Sequence, residues 1–263
     1  MLDYLKLMFK KQHKDGLKNQ AEFTKVFSDI MLPRPKTFAF KKLFNIKPCN
    51  ELPLSFAFIA AFPCLINTFA SKEFITSPIG LIHLSAEFTR HQQINYREKI
   101  TVKIKVEHAG THPKGVLLKI TSELIQNDLL CIKNTNVMLQ VKSGGKNAKN
   151  AIVKQFKASD SSTINQQTLW RYARASGDYN PIHLSSLLAK IFGMRTAIVH
   201  GMYLVHYSLL SQHINSGYIK ATFKKPCPVG TTVGIDDSTE QLQVFSNTTD
   251  LHLTIDHGHE PQL

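Results

Sequence analysis

The chain is expected to be an α+β protein in which one buried helix lies against a curved antiparallel sheet, with that unit given twice. Three observations lead there. Short runs that alternate apolar and polar residues recur along the chain, the mark of half-buried strands. Each half carries one helix-length stretch that is apolar on most faces, as a helix covered by a sheet requires. The segment "VKSGGKNAKN" (141–150) has two glycines, three lysines and no apolar pattern. It separates two parts that repeat the same order of elements.

In the first part, a helix at roughly 54–70 precedes "GLIHLSAEF", "KITVKIKVEHAG", "GVLLKITSELIQ" and "LLCIKNTNVMLQVK", which read as strands joined by turns. In the second, "VKQFKA" reads as a strand and "QQTLWRYARAS" as a helix. "LSSLLAKIFG" reads as a short helix closed by Gly193, and "HGMYLVHYSLLSQHI" as the buried helix. "GYIKATFKKPCPVGTTVGID" gives strand, turn and strand, and "EQLQVFSNT" and "DLHLTID" give two more strands. The expected division is a basic arm over 1–50, a first repeat over 51–140, a linker over 141–150 and a second repeat over 151–263.

With 43% hydrophobic and 19% charged residues, the 263-residue chain has a globular composition that can support a sizeable core. Cys49, Cys64, Cys131 and Cys227 include no CxxC pair, so they read as reduced, buried thiols rather than a disulfide framework or a zinc site. Net charge is +13, and the first fifty residues hold eleven Lys/Arg against four Asp/Glu. That balance suits a polyanionic partner: nucleic acid, anionic membrane, an acidic carrier protein or a phosphate-bearing cofactor. A solvated basic surface explains it equally well. The phenylalanines among the N-terminal lysines are irregularly spaced, so base stacking, and with it nucleic-acid binding, is not expected.

Residues 52–71 carry no charge over twenty positions, which is a membrane-spanning length. Pro53, Pro63, Asn67 and three hydroxyl side chains favour a buried core helix instead, and no integral membrane span is expected. "MLDYLKLMFKK" could form a short basic amphipathic helix at a membrane surface, but it lacks the apolar core of a secretory signal. The expected location is the cytoplasm.

"ASGDYNPIHL" (175–184) places an acid, an amide and an imidazole within six residues around a proline. Pro181 has no N–H and biases Asn180 away from the helical region, so Asp178, Asn180 and His183 lie on a bent segment where they can converge. The competing reading is an Asx-type turn in which Asp178 and Asn180 bond only to backbone and cap the next helix.

The longer run "YARASGDYNPIHLSSLLAKIFGMRTAIVHGM" (172–202) resembles the signature of the MaoC-like acyl dehydratases, the (R)-specific enoyl-CoA hydratase group. The resemblance is carried by "SGDYNPIH", an "A..FG" helix and "IVHGM". It continues in "FKKPCPVGTTV" and extends loosely over 50–263, towards the members with two hot-dog repeats. It implies a double hot-dog fold and reversible hydration of a trans-2-enoyl thioester to the (R)-3-hydroxyacyl thioester in fatty-acid or related acyl metabolism. It also implies an acyl-CoA or acyl-carrier-protein substrate, no cofactor and no metal. Asp178 and His183 match the family's acid/base pair.

The chemistry of the residues agrees. A carboxylate and an imidazole can hold one water between them and shuttle its protons, and an imidazole works in either direction near neutrality. The oxyanion donor is expected to be the Gly201 N–H, at the start of the buried helix, where N–H groups and the helix dipole favour negative charge. Glycine there would also let a ligand approach the backbone. Ser176, Asn180, His200 and Met202 complete the expected substrate-binding set. Asn180 would orient the segment, and His200 reads as mainly structural.

His83, in "GLIHL", has no preceding Asp-x4-His, so the first repeat reads as non-catalytic. His206 and His213 read as packed or peripheral. Ser208 lies one position from where some family members place a serine or threonine. "HLTIDHGHE" (252–260) reads as an exposed polar tail rather than a metal site. A non-catalytic acyl-binding protein is the alternative function, and the sequence leaves homodimerisation open.

Overall fold

The protein is described as a computed structural model covering residues 7, 20–47, 51–76, 78, 80–141 and 156–258. In chain order the elements are β1 (Phe23–Ile30), α1 (Arg34–Leu43), α2 (Phe56–Ala70), β2 (Leu81–Arg90), β3 (Ile100–His112), β4 (Gly115–Gln126) and β5 (Leu129–Val141). They continue with β6 (Asp160–Thr163), α3 (Gln166–Ser176), α4 (Pro181–Leu184), α5 (Ser186–Ile191), α6 (Gly201–Ser211), β7 (Tyr218–Phe223), β8 (Thr232–Asp236), β9 (Leu242–Ser246) and β10 (Asp250–Gly258). Contacts divide the chain into two compact units, Met1–Met31 with Ala60–Asn150 and Leu32–Ile59 with Ala151–Leu263.

In the first unit the strands run in the order β1-β3-β4-β5-β2, every pair antiparallel. β3 shows why the alternation forms a sheet: Val102, Ile104 and Val106 are fully buried while Thr101, Lys103 and Lys105 between them are not. In the second unit the order is β7-β10-β9-β8-β6, again antiparallel throughout. Numbered within its own unit, that order is the same as the first, with the last-formed strand beside the second and the first strand at an edge. The repeat read from element order is thus a repeat of strand topology.

Several expectations change. The segment read as an N-terminal arm supplies β1, which pairs with β3, and α1, which groups with the second unit. Gln20 ties the start of β1 to the chain beyond α2: its Nε2 donates to the Glu73 carbonyl at 2.9 Å and its Oε1 accepts from Ile75 N–H at 2.9 Å. Of the strand expected at "VKQFKA", 153–155 lie outside the described residues and 156–158 are not strand. There the Lys157 N–H goes to the Asp236 carboxylate at 3.2 Å instead of a ladder carbonyl, and β6 begins only at Asp160. The linker at 142–150, Cys49 and most of the N-terminal helix candidate also lie outside the described residues.

The "HLTIDHGHE" tail is corrected over 252–258. It forms most of β10, flanked on both sides by strands, and His252 is buried against Ser246 Oγ at 2.8 Å. Cys64, Cys131 and Cys227 are free, buried thiols. α2 is 15 residues long, and among the described residues no helix is long and apolar enough to cross a membrane.

Candidate active site

The second unit folds "SGDYNPIH" into two linked turns. α3 ends because Gly177 takes a left-handed conformation at φ 83°, which glycine adopts without strain, and its N–H bonds back to the Ala173 carbonyl at 2.8 Å. Ser176 Oγ donates to the Tyr172 carbonyl and accepts from Asp178 N–H at 3.1 Å. Asp178 Oδ1 then accepts from Asn180 N–H at 3.1 Å, an Asx turn. Asn180 caps α4 by accepting from Ile182 N–H at 3.3 Å, and Pro181 opens that helix where its missing N–H costs nothing. The local reading of Asp178 and Asn180 as turn and cap residues therefore holds, alongside a convergence that it does not account for.

That convergence brings Asp178, His183 and His200 together: a carboxylate oxygen and one nitrogen of each ring lie within 4.8 Å of one another. His183 is 9% exposed. Its Nδ1 lies 2.8 Å from the Ile198 carbonyl, which can only accept, so Nδ1 carries the proton and Nε2 the basic lone pair. Burial pulls the His183 pKa below its ordinary value, against the opposing pull of Asp178 and the Ile198 carbonyl, so the ring is neutral near pH 7. A neutral imidazole with Nε2 available, close to a carboxylate, can take a proton from a water bound at the pair.

His200 is the N-cap residue of α6 and is 1% exposed. Its Nε2–H donates to the Asp178 carbonyl at 3.1 Å, and its ring stacks on His183 with centroids 3.9 Å apart and planes at 28°. Asp178, His183 and His200 have the residue types of a divalent-metal site. One nitrogen of each ring is already engaged by a main-chain carbonyl, His183 Nδ1 by Ile198 and His200 Nε2 by Asp178, which leaves each imidazole a single nitrogen.

Gly201 and Met202 lead α6, ahead of its first internal bonds, which Tyr203 and Leu204 N–H make to the His200 carbonyl. Their N–H groups are the donors that a helix start leaves over. Packing gives a further reason for glycine at 201. A Cβ there would meet the Phe223 ring of β7 at 2.7 Å, so packing inside the unit favours the glycine. Met202 is buried, and Ser208 Oγ is spent on the Leu204 carbonyl one turn back.

Two neighbours of the cluster, Tyr172 and the Ile198 carbonyl, escaped the sequence reading, and His206 is packed as expected. Tyr172 belongs to the quoted motif and is fully buried, 4.9 Å from His200 between ring centroids. His206 is buried on α6, with Nδ1 2.8 Å from Ser55 Oγ and Phe40 packed edge-on at 5.0 Å. The Ile198 carbonyl is main chain, for which no side-chain pattern gives a signal. His83, in the first unit, lies 3.1 Å from Asn136 Oδ1 on the neighbouring strand, and His213 is exposed.

Residues 147–257 match the family described as MaoC like domain. The 3-hydroxyacyl-thioester dehydratase X of Mycobacterium tuberculosis is 26% identical over 170 residues, 63% of this chain. That match spans 61% of the curated relative's length. A crystal structure of HtdX from Mycobacterium tuberculosis superposes with a TM-score of 0.76 at 21% identity, covering 89% of this chain and 98% of that one. A MaoC-like dehydratase from Phytophthora capsici gives 0.62 at 15% identity, covering 94% and 98%. Residues 147–257 of this chain, which hold Asp178, His183 and His200, thus match the MaoC like domain family, and the chain has the double hot-dog fold.

Proposed function

We propose that the protein is a hydro-lyase that reversibly hydrates trans-2-enoyl thioesters to 3-hydroxyacyl thioesters, with Asp178 and His183 as the acid/base pair. The observation that carries this is the pair itself: a carboxylate oxygen within 4.8 Å of a nitrogen of a neutral imidazole, with the imidazole tautomer set by the Ile198 carbonyl.

In hydration, His183 Nε2 takes a proton from a water that Asp178 holds, and the water oxygen adds to C3. The electron pair of the double bond moves onto the thioester oxygen as an enolate, which the Gly201 N–H stabilises. The enolate collapses as C2 receives the proton from the pair, so one water is added and the pair returns to its starting state. Dehydration runs the same steps backwards. Ser176, Asn180 and Met202 shape the site around these groups.

The carrier is coenzyme A or an acidic acyl carrier protein, either of which suits a chain of net charge +13. Residues 51–140 are read as a non-catalytic repeat and 151–263 as the catalytic one, and the setting as cytoplasmic acyl metabolism.

The test is loss of enoyl-thioester absorbance on adding the protein to crotonyl-CoA, then to a longer trans-2-enoyl-CoA, then to the acyl-carrier-protein forms. Turnover with 3-hydroxyacyl product, and a fall of about 10²-fold or more in Asp178→Asn and His183→Ala, is the expected result. Absence of turnover on all of these would leave an acyl-binding protein.

A further inference from the structure

Behind the acid/base pair lies a group of buried polar atoms that the reaction as written does not use. Among the described residues, His200 Nδ1, the Tyr172 hydroxyl and His206 Nε2 are all buried without a hydrogen-bond partner. The three residues are each at most 1% exposed. They come from α3, the start of α6 and the middle of α6, and their rings are neighbours: Tyr172 to His200 at 4.9 Å and Tyr172 to His206 at 5.9 Å.

Buried polar groups are normally satisfied, so three together point to a shared partner. Their chemistry says what it must be. His200 gives its Nε2–H to the Asp178 carbonyl, which leaves Nδ1 as a pure acceptor. Tyr172 can donate or accept. The partner must therefore donate at least one hydrogen bond and be small enough for an aromatic-walled interior, and water meets both conditions.

His200 also touches both members of the pair at once, Asp178 through its main chain and His183 through the ring face. Burial and the neighbouring His183 hold the His200 pKa well below the ordinary value, so its ring stays uncharged beside the pair.

We propose that His200 is a positioning residue of the dehydratase pair, backing the His183 ring and fixing the Asp178 main chain, with its own orientation set by water shared with the Tyr172 hydroxyl and His206. This rests on the dehydratase reading above. His200 acts through the two residues of the pair, which it touches at the Asp178 carbonyl and the His183 ring face. A ring that rotates away frees Asp178 and lets the His183 imidazole tilt, and a small misplacement of a reacting group is enough to slow the chemical step.

The experiment measures kcat and KM on trans-2-enoyl-CoA for wild type, His200→Phe and Tyr172→Phe, with 15N NMR of the His183 ring and circular dichroism on each. His200→Phe keeps an aromatic face against His183 and removes both ring nitrogens. Tyr172→Phe removes one hydroxyl.

The expected result is a kcat lowered about 10-fold or more in His200→Phe and about 3-fold or more in Tyr172→Phe, with KM within about 3-fold of wild type. The Nδ1–H signature of His183 should be present in wild type and broadened or lost in His200→Phe. A kcat within about 2-fold of wild type in both variants, or a fall in kcat matched by the loss of folded protein, overturns the proposal. If His200→Phe does not fold, Tyr172→Phe decides alone on the same criteria. If wild type turns over no thioester, the dehydratase reading has failed. The NMR comparison still reads whether His200 holds His183, and an unchanged His183 signature in the variants would then sink the positioning role as well.

Discussion

His183 Nδ1 lies 2.8 Å from the carbonyl oxygen of Ile198, fifteen residues along the chain. This contact selects the tautomer with Nε2 unprotonated, and it places the working nitrogen of the proposed site under the control of a main-chain atom. Burial then lowers the His183 pKa, because the imidazolium would lose its hydration.

A pH profile follows from that shift. A lowered pKa means the ring stays neutral to more acid pH than a free histidine, so the acid limb of kcat/KM on an enoyl-CoA should fall below pH about 6.5. Rates measured between pH 4.5 and 8.5 check this. An acid limb centred above the ordinary histidine value would mean that another group controls the profile.

Gly201 and Phe223 should behave as a coupled pair. Gly201→Ala puts a methyl 2.7 Å from the Phe223 ring, and overpacking of this kind costs about 1–3 kcal/mol. Phe223→Leu frees the space, so the double variant should recover much of the stability lost in Gly201→Ala. Denaturant midpoints for the four proteins of the cycle give the coupling energy, and purely additive effects would contradict the packing role.

Acid stability should depend on His206 and His83. Burial pushes His206 down to about 3 and His83 down to about 4, while the unfolded chain takes up those protons near pH 6.5. The unfolded state thus binds more protons over that interval. Stability is full above pH about 6.5 and declines as pH falls towards 4, by a few kcal/mol per ring at most. His206→Gln offers an amide to Ser55 without a titrating ring and should shift the acid-unfolding midpoint downward. An unchanged midpoint would show that other groups dominate.

Gln20→Ala tests whether residues ahead of β1 belong to the folded body. It removes both hydrogen bonds to Glu73 and Ile75 from a side chain that is almost wholly buried, leaving backbone groups unpaired at a cost of about 1–3 kcal/mol each. A thermal midpoint lowered by several degrees is expected. No change would mean that this segment is peripheral after all.

Much of the fold and part of the site can be read along the chain. The period-2 alternation of β3, β4 and β5 announces strands because the core removes every second side chain from water. The spacing of Asp178, Asn180, Pro181 and His183 announces a bend because proline and Asx chemistry act locally. Other features depend on groups far apart in the chain. α1 and β1 carry no signal strong enough to mark them as body rather than arm, since their packing partners lie elsewhere in sequence.

Gly201 looks like a glycine kept for a ligand alone until Phe223, twenty-two residues later, is seen against it as well. His200 looks merely structural until its stack on His183 is measured. The tautomer of His183 rests on a carbonyl, and every residue has one, so no residue pattern could point to Ile198. Local propensity and pattern are written along the chain. Which distant main-chain atom or aromatic ring meets a catalytic side chain is decided only when the chain packs.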